Sequence, residues 1–142
     1  MPGSFQSTSG SSSALGDFNA DGRLDLAADG SVFLGNGDGT LRARQPAPML
    51  AVAAAADVNA DGRLDLVGDG VALGNGDGTC QPARPYEAAG PSVRVADFDG
   101  DGRPDLAAEA AGNFLVVQLG NGDGTFRDAY HFAAGSGPSL DI

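Results

Sequence analysis

The chain has 142 residues, of which 42% are hydrophobic, and its 19 acidic and 8 basic residues give a formal net charge of −11. This length fits one domain or a short repeat array with a modest core, and the lack of a basic face argues against nucleic acid as a partner. All eight basic residues are Arg, and 17 of the acids are Asp at recurring spacings, which indicates turns and cation ligation rather than a disordered acidic tail.

The sequence offers neither a membrane anchor nor a covalent cross-link. No apolar run approaches the roughly 20 residues that cross a bilayer, so we expect no membrane span. The first 13 residues (MPGSFQSTSGSSS) lack the charged and apolar regions of a signal peptide, so export would be directed by sequence outside this chain. Cys80 is the only cysteine, which excludes an internal disulfide, and we expect its side chain to be small, inert and at least partly buried.

Two motifs recur along the chain, always in the same order. The first is an Asp-rich loop motif that begins every 40 residues, at residues 17–26 (DFNADGRLDL), 57–66 (DVNADGRLDL) and 97–106 (DFDGDGRPDL). The second is LGNGDGT, at residues 34–40, 73–79 and 119–125. A fixed order and spacing of this kind predicts a tandem array of structural repeats.

Short strands are predicted between the motifs in the first two repeats. The apolar runs after each loop are separated by Asp29-Gly30 and by Asp69-Gly70, dipeptides that favour tight hairpin turns with positive φ. Residues 51–56 (AVAAAA) have helical propensity, but they align with the segment ahead of the third loop, so we expect a strand there.

The third repeat has the clearest strand signals. Residues 92–96 (SVRVA) alternate in the β manner, and residues 114–119 (FLVVQL) form the most strand-like run of the chain. The longer segment 108–113 (AEAAGN) replaces the hairpin turn, and residues 126–132 predict a closing strand in which His131 is a strand residue rather than a catalytic base. Each unit therefore holds about four antiparallel strands.

Four-stranded units that repeat in this way suggest the blades of a β-propeller. Residues 3–8 (GSFQST) look like the closing strand of a preceding blade, and residues 137–142 (GPSLDI) resemble the opening strand at residues 90–95 (GPSVRV). We therefore divide the chain into a Ser-rich start with that closing strand (1–13), repeats at 14–53, 54–93 and 94–136, and the opening strand of a further blade (137–142).

Each Asp-rich loop places oxygen donors where a calcium ion needs them. The side chains at loop positions 1, 3, 5 and 9 are Asp17, Asn19, Asp21 and Asp25, then Asp57, Asn59, Asp61 and Asp65, then Asp97, Asp99, Asp101 and Asp105. Position 7 would add a backbone carbonyl from Arg23, Arg63 and Arg103. Calcium takes 6–8 oxygen ligands and Mg²⁺ prefers a tight, largely hydrated octahedron, so the sequence predicts about three Ca²⁺ ions.

A solvated turn, an EF-hand and a β-roll each fit the loops less well. A solvated, Asp-rich turn would hold several carboxylates together, and their mutual repulsion would favour a splayed loop. An EF-hand needs Glu at position 12 and flanking helices, whereas position 12 is Ala28, Gly68 and Ala108 and the flanks read as strands. Calcium-binding β-rolls have repeats that follow one another directly, whereas these loops stand 40 residues apart.

The combined pattern at residues 90–126 (GPSVRVADFDGDGRPDLAAE…VVQLGNGDGTF) resembles the FG-GAP/VCBS-type repeat, the blade unit of integrin-α-like β-propellers. The resemblance extends over nearly the whole chain after the Ser-rich start, in three copies. It implies that each loop links two strands of a blade and binds Ca²⁺ in a structural role. It also implies an extracellular or cell-surface setting and a role in adhesion, glycan binding or protein interaction.

The resulting fold expectation is an all-β chain of about three four-stranded antiparallel blades of an integrin-like β-propeller. The family usually builds about seven blades, and closed propellers have at least four. Three blades therefore predict a partial ring, or one that a second copy of the chain completes.

The expected function is that of a calcium-binding scaffold for an unidentified protein or glycan, not of an enzyme. The alternatives are a lectin-like propeller, with Tyr86, Tyr130 and Phe132 as a sugar-stacking platform, and an accessory domain of a secreted carbohydrate-active enzyme. The sequence shows no catalytic triad, phosphate-binding loop or zinc ligand set, and Glu87 and Glu109 are the acids left as candidate bases.

Three further sets of recurrent residues have structural interpretations. We expect turn formation, rather than an auxiliary metal role, from Asp38, Asp77 and Asp123 of the LGNGDGT motifs. The residue after the first Asp of each loop is expected to pack into the blade; these residues are Phe18, Val58 and Phe98. The side chains of Arg23, Arg63 and Arg103 are expected to pair with nearby carboxylates.

Overall fold

The computed structural model describes residues 13–47, 51–86, 93–110 and 113–133. Within these ranges the structure contains β-strands and no helix. The strands form three antiparallel sheets in chain order, which confirms the all-β expectation. The strands expected at residues 3–8 and 137–142 lie outside the described residues, as does Glu87. The repeat boundaries themselves stay a prediction.

Sheet 1 is a four-stranded meander. Its strands are β1 (Ser13–Gly16), β2 (Asp25–Ala28), β3 (Ser31–Gly35) and β4 (Leu41–Pro46). The predicted tight turn joins β2 to β3, because Asp29 and Gly30 both have positive φ, at 49° and 72°. The Asp-rich loop of residues 17–25 connects β1 to β2, and the LGNGDGT motif connects β3 to β4.

Among the described residues, sheet 2 has three strands where the sequence predicts four. They are β5 (Val52–Ala56), β6 (Asp65–Gly68) and β7 (Val71–Ala72). In place of a fourth strand, the chain makes isolated bridges between Val71 and Arg84 and between Gly74 and Cys80. Pro82 lies between the two bridging residues Cys80 and Arg84, and Pro85 follows them; since proline has no N–H, both interrupt a continuous ladder.

The same sheet contradicts one turn prediction. Asp69 and Gly70 separate β6 from β7 as expected, but neither has a positive φ. Instead the Gly68 N–H donates to the Gly70 carbonyl oxygen at 2.9 Å, and the Asp69 N–H donates to the Ala51 carbonyl oxygen at 3.0 Å. The turn is therefore held by one backbone bond within itself and one to Ala51, rather than by the positive φ that the dipeptide favours.

Sheet 3 has four strands and the long hairpin that the sequence predicts. The strands are β8 (Arg94–Ala96), β9 (Asp105–Ala110), β10 (Phe114–Gln118) and β11 (Tyr130–Ala133). The predicted closing strand is split, because Phe126 makes an isolated bridge with Gly120 and β11 begins only at Tyr130. His131 lies in β11, opposite Val116, which confirms it as a strand residue.

The three sheets pack face to face in chain order, and β1 lies beside β5 while β5 lies beside β8. We call the face of a sheet that packs against the following sheet its trailing face, and the opposite face its leading face. One core cluster joins the trailing face of sheet 1 (Ala14, Phe18, Ala27, Val32 and Leu34) to the leading face of sheet 2 (Val52, Leu66 and Ala72, with Leu64 and Cys80 at its border).

A second cluster repeats this arrangement between sheets 2 and 3. Its members are Val58, Val67, Val71 and Leu73 of sheet 2 with Val93, Leu106, Ala108 and Val116 of sheet 3. Phe18 is 4% exposed and Val58 is 2% exposed, as predicted, because each lies between two sheets. The matching prediction for Phe98 is wrong: this side chain is 50% exposed, since no described residue follows sheet 3 to cover it.

Candidate metal centre

The first Asp of each loop shapes the loop through backbone hydrogen bonds. The Asp17 carboxylate accepts hydrogen bonds from the Asp21 N–H at 3.1 Å and the Gly22 N–H at 2.8 Å. Asp57 and Asp97 accept the same two bonds in their own loops. The chain therefore wraps around this carboxylate, and the Gly at position 6, with φ of 82–83° in all three loops, provides the sharp turn.

The fifth residue closes the wrap. Asp21 accepts a hydrogen bond from the Arg23 N–H at 2.9 Å, and Asp61 and Asp101 accept the equivalent bond from Arg63 and Arg103. These backbone bonds are the main cause that lowers the pKa of Asp21 and of Asp61 below the ordinary value. These backbone N–H groups thus stabilise the charged forms of Asp21 and Asp61.

The ninth residue has a second role that sequence reasoning missed. Asp25 is 1% exposed, and its two carboxylate oxygens accept hydrogen bonds from the Phe18 and Gly35 N–H groups, both at 2.8 Å. Asp65 and Asp105 make the same pair of bonds, to Val58 and Gly74 and to Phe98 and Gly120. This carboxylate therefore connects the Asp-rich loop to the LGNGDGT motif, which explains why the two motifs recur together.

In loops 2 and 3, acidic side chains lie close to one another. Asp65 is fully buried, and this burial is the main cause that raises its pKa above the ordinary value, with the nearby Asp61 and Asp57 carboxylates adding to the effect. In loop 3, Asp97, Asp99 and Asp105 bring one carboxylate oxygen each within 4.8 Å of one another. Desolvation, together with the charges of Asp101 and Asp105, raises the pKa of Asp99.

Loop 2 also contains a polar atom without a partner. Asn59 Oδ1 is buried and has no hydrogen bond, whereas the Asn59 amide nitrogen donates to Asp61 at 3.2 Å, which fixes the orientation of the amide. In loops 1 and 3 the corresponding oxygens, of Asn19 and Asp99, accept a hydrogen bond from the residue at position 5. A buried oxygen without a donor fits a cation ligand.

The arginines of the loops are placed differently from the expectation. The Arg23 Cδ lies 3.2 Å from the point where a Cβ on Gly37 would stand, and Arg63 and Arg103 approach Gly76 and Gly122 in the same way. Their side chains therefore lie over the LGNGDGT turns instead of forming ion pairs within the loops. Among the described residues, a different arginine forms the ion pair with a loop carboxylate: Arg42 lies 3.3 Å from Asp21.

The Asp residues of the LGNGDGT motifs act as turn formers, as predicted. Asp38 accepts a hydrogen bond from the Thr40 N–H at 3.0 Å and another from the Thr40 hydroxyl. The hydroxyl bond is the main cause that lowers the pKa of Asp38, and Asp77 and Asp123 repeat the arrangement with Thr79 and Thr125. These carboxylates are occupied within their own turns.

The proposed sugar-stacking platform is not assembled. Tyr86 packs against Phe126 between sheets 2 and 3, with ring centroids 5.9 Å apart, and its hydroxyl donates to the Gly68 carbonyl oxygen at 2.6 Å. Tyr130 and Phe132 pair with Val117 and Leu115, so they lie on the opposite face of sheet 3. One platform cannot include all three rings.

Comparison with known proteins supports the repeat assignment. Residues 17–68 match the FG-GAP-like repeat family. The match begins at the first Asp of loop 1 and ends just after loop 2, so it contains two complete loops and the LGNGDGT motif between them. A search of curated proteins gave no match. In the described ranges, no helix is long and apolar enough to cross a membrane.

Proposed function

Because residues 17–68 form an FG-GAP-like repeat whose two motifs recur as far as residue 125, we propose that the chain is a calcium-binding β-propeller repeat module. In this proposal it serves as an extracellular binding or adhesion scaffold for a protein or glycan ligand, and its calcium ions are structural. Repeats of this family are typically parts of extracellular domains, where calcium is abundant.

The observation that carries the proposal is the grouping of acidic oxygens in the loops. Loop 3 places Asp97, Asp99 and Asp105 within 4.8 Å of one another, and loop 2 buries the oxygen of Asn59 without a donor. An oxygen-rich, carboxylate-dominated set suits Ca²⁺, and a flexible coordination number tolerates the mixture of Asp and Asn at position 3. Three ions would bring the formal charge from −11 to −5.

Calcium would contribute strongly to folding. At millimolar calcium and a Kd of about 0.1 mM, each site adds about 1.4 kcal/mol to the free energy of unfolding. Three such sites together approach the lower end of the total stability of a small domain, about 5 kcal/mol. The sheets are small and rich in Ala and Gly, so this contribution would decide whether they remain folded.

Thermal unfolding with and without calcium tests the proposal. We expect the midpoint to rise by several degrees in 2 mM CaCl₂ relative to EGTA, and to rise much less in the same concentration of MgCl₂. Isothermal titration should give about three sites. Asp97→Asn should lose one site, whereas Asp128→Asn, an exposed Asp outside the loops, should retain all of them. A midpoint that moves by less than a degree or two would contradict structural calcium.

The proposal is one of binding and not of catalysis. In the described part of the chain, the acidic cluster is made of loop residues, and Glu109 on β9 is not a member. A hydrolytic mechanism needs an acid and a base that face a common substrate site, and the loop carboxylates are already bonded to backbone N–H groups. Incubation with polysaccharide substrates should therefore release no reducing sugar.

Glycan binding remains the second candidate, because a cleft lies between sheets 2 and 3. It has a volume of about 320 Å³, and its lining includes Arg84, Tyr86, Gln118 and Arg127. Asp128 also lines the cleft, so charges of both signs and an aromatic ring border it, which suits a polar ligand such as a sugar. Arg127→Gln should then abolish binding on a glycan array, while Arg94→Gln, outside the cleft, should not. If the unmodified protein binds no glycan on the array, the glycan-binding candidate is excluded and the scaffold proposal stands.

A further inference from the structure

The two interfaces between sheets share one backbone contact. The Gly78 N–H of sheet 2 donates to the Phe18 carbonyl oxygen of sheet 1 at 2.9 Å, and the Gly124 N–H of sheet 3 donates to the Val58 carbonyl oxygen of sheet 2 at 3.1 Å. Gly78 and Gly124 occupy the same position in the LGNGDGT motif. Each turn is therefore bonded to the Asp-rich loop of the preceding sheet.

A leucine packs over each of these glycines. Leu34 comes within 3.1 Å of the point where a Cβ on Gly78 would stand, and Leu73 comes within 3.2 Å of the equivalent point on Gly124. Any side chain here would displace the leucine. The glycine, the leucine and the carbonyl acceptor thus form a repeated docking unit between consecutive sheets.

The first and last sheets carry the two halves of this unit without a partner among the described residues. Gly39, the counterpart of Gly78, is exposed, and no atom lies within 4 Å of its Cβ position. Leu24, the counterpart of the partly buried Leu64, is 66% exposed. At the other end, Phe98 is 50% exposed, whereas its counterpart Phe18 is 4% exposed.

Exposed apolar side chains are concentrated on these same two faces. Leu15, Leu24 and Leu41 lie on the leading face of sheet 1, since their counterparts in sheet 2 border the first core cluster. Phe98, Tyr130 and Phe132 lie on the trailing face of sheet 3. Among the large hydrophobic residues that are exposed in the described ranges, Phe114 alone belongs to neither set. Patches of this kind mark interaction surfaces.

We propose that the trailing face of sheet 3 binds the leading face of sheet 1 of a second copy of this chain. The contact would repeat the one seen twice within the chain, so that the Gly39 N–H of one copy donates to the Phe98 carbonyl oxygen of the other. Leu119, the counterpart of Leu34 and Leu73, would pack over Gly39, and Leu24 would pack near Ala96.

A second copy is the occupant that the structure favours, because both halves of the required interface are already present on one molecule. Such a contact is heterologous, and it closes into a ring when the rotation between copies permits. The described residues of two copies would contribute six sheets, which is within the range of four to eight blades found in closed β-propellers. The inference concerns the apolar faces and not the ions, so it can fail while the calcium proposal stands.

Solution mass with matched variants tests this inference. In 2 mM CaCl₂, sedimentation equilibrium of the unmodified chain should give a dimer of the 14.1 kDa protomer. Phe98→Gln and Leu24→Gln should each weaken dimerisation at least about tenfold, because each removes an apolar side chain from both contacts of the ring. Phe114→Gln is the control, since it removes an equally exposed ring that lies on neither face, and it should remain dimeric.

Mixing the two weakened variants distinguishes a head-to-tail contact from a symmetric one. A mixed dimer has one unmodified contact and one contact that carries both substitutions. The counterparts Leu64 and Phe18 both approach the Cβ position of Gly16, so Leu24 and Phe98 would adjoin in the proposed contact, and the two substitutions should cost less together than the sum of their separate effects. An equimolar mixture should therefore associate more tightly than either variant alone. A monomeric unmodified chain at about 100 µM would overturn the inference, and so would equal effects of all three variants or a mixture that associates no better than its parts. Titration of each variant with calcium reports separately on the metal sites.

Discussion

The carboxylate of Asp25 accepts a hydrogen bond from the Gly35 N–H at 2.8 Å, across ten residues of sequence. The same carboxylate holds the Phe18 N–H, so a single side chain fixes the Asp-rich loop against the end of β3. Because Asp25 is buried, both bonds are made away from solvent. This arrangement gives the loop a defined shape before any ion is considered.

Replacing Asp25 should therefore destabilise the chain even without calcium. Asp25→Asn leaves one of the two buried N–H groups facing an amide nitrogen, and an unsatisfied buried donor costs about 1–3 kcal/mol. Urea denaturation in EGTA should show this loss. Asp29→Asn is the control, because Asp29 is exposed in a turn with positive φ that Asn adopts readily. Equal stabilities for the two variants would contradict the bracing role.

Position 4 of the loops provides a pair of substitutions with opposite effects. Ala20 and Ala60 have φ of 60°, a left-handed conformation that is unfavourable for Ala, whereas loop 3 has Gly100 there. Ala20→Gly should raise the free energy of unfolding by up to about 1 kcal/mol, and Gly100→Ala should lower it by about the same amount. Thermal melts of the two variants against the unmodified chain measure both. Shifts of the same sign would contradict a left-handed conformation shared by Ala20 and Gly100.

Asp99→Asn converts the ligand set of loop 3 into that of loops 1 and 2. Without calcium, this variant should be more stable than the unmodified chain, because the neighbouring carboxylates and desolvation disfavour the charged form of Asp99. With saturating calcium the order should reverse, since one charged ligand is lost. Asn59→Asp in loop 2 is the reciprocal test and should show the opposite pattern. Chemical denaturation in EGTA and in CaCl₂ measures the four combinations.

The stability difference between Asp99→Asn and the unmodified chain should depend on pH. A raised pKa means that folded Asp99 binds a proton more readily than the unfolded chain does, so acidification through this pKa favours the folded state. In EGTA, the advantage of Asp99→Asn should therefore be greatest near neutral pH and should shrink as the pH falls, because protonation removes the same charge. An advantage that grows on acidification would contradict the assigned cause.

The reactivity of the Cys80 thiol should report whether sheets 1 and 2 separate. Its thiol is half-buried beside the core cluster between sheets 1 and 2, and burial raises its pKa to about 11 from the ordinary 9.0. The folded chain should then react with a disulfide reagent at pH 8 about a hundredfold more slowly than the urea-unfolded chain. Equal rates would show that the two sheets separate readily.

The repeated elements of the fold could be predicted because local chemistry determines them. Strand β5 follows from its alignment with the third repeat despite its alanines, and the β2–β3 turn follows from Asp29-Gly30. The turn role of Asp38 follows from the short side chain of Asp next to a Gly. For these elements, the repeat pattern and residues within about ten positions of each other contain the necessary information.

The remaining features depend on contacts that the sequence pattern does not show. From the pattern we predict only a metal-ligand role for Asp25, because its bonds to two N–H groups require the loop to fold back on β3. It groups Phe98 with Phe18, because it does not reveal that Phe18 is covered by the next sheet. The interrupted pairing of the described residues 80–84 in sheet 2 could have been anticipated from Pro82 and Pro85, since proline interrupts a ladder.

The packing of one sheet against the Asp-rich loop of its neighbour should affect how fast an ion leaves that loop. Gly124 of sheet 3 lies 3.7 Å, measured from its Cβ position, from the Cβ of Asn59, so sheet 3 packs against position 3 of the second loop, while Asp61 and Gly62 remain exposed. Gly78 lies similarly close to Asn19 of the first loop, at 3.9 Å. The third loop has no such cover among the described residues. An ion held there should therefore be released soonest, because no neighbouring sheet among the described residues holds position 3 of that loop in place.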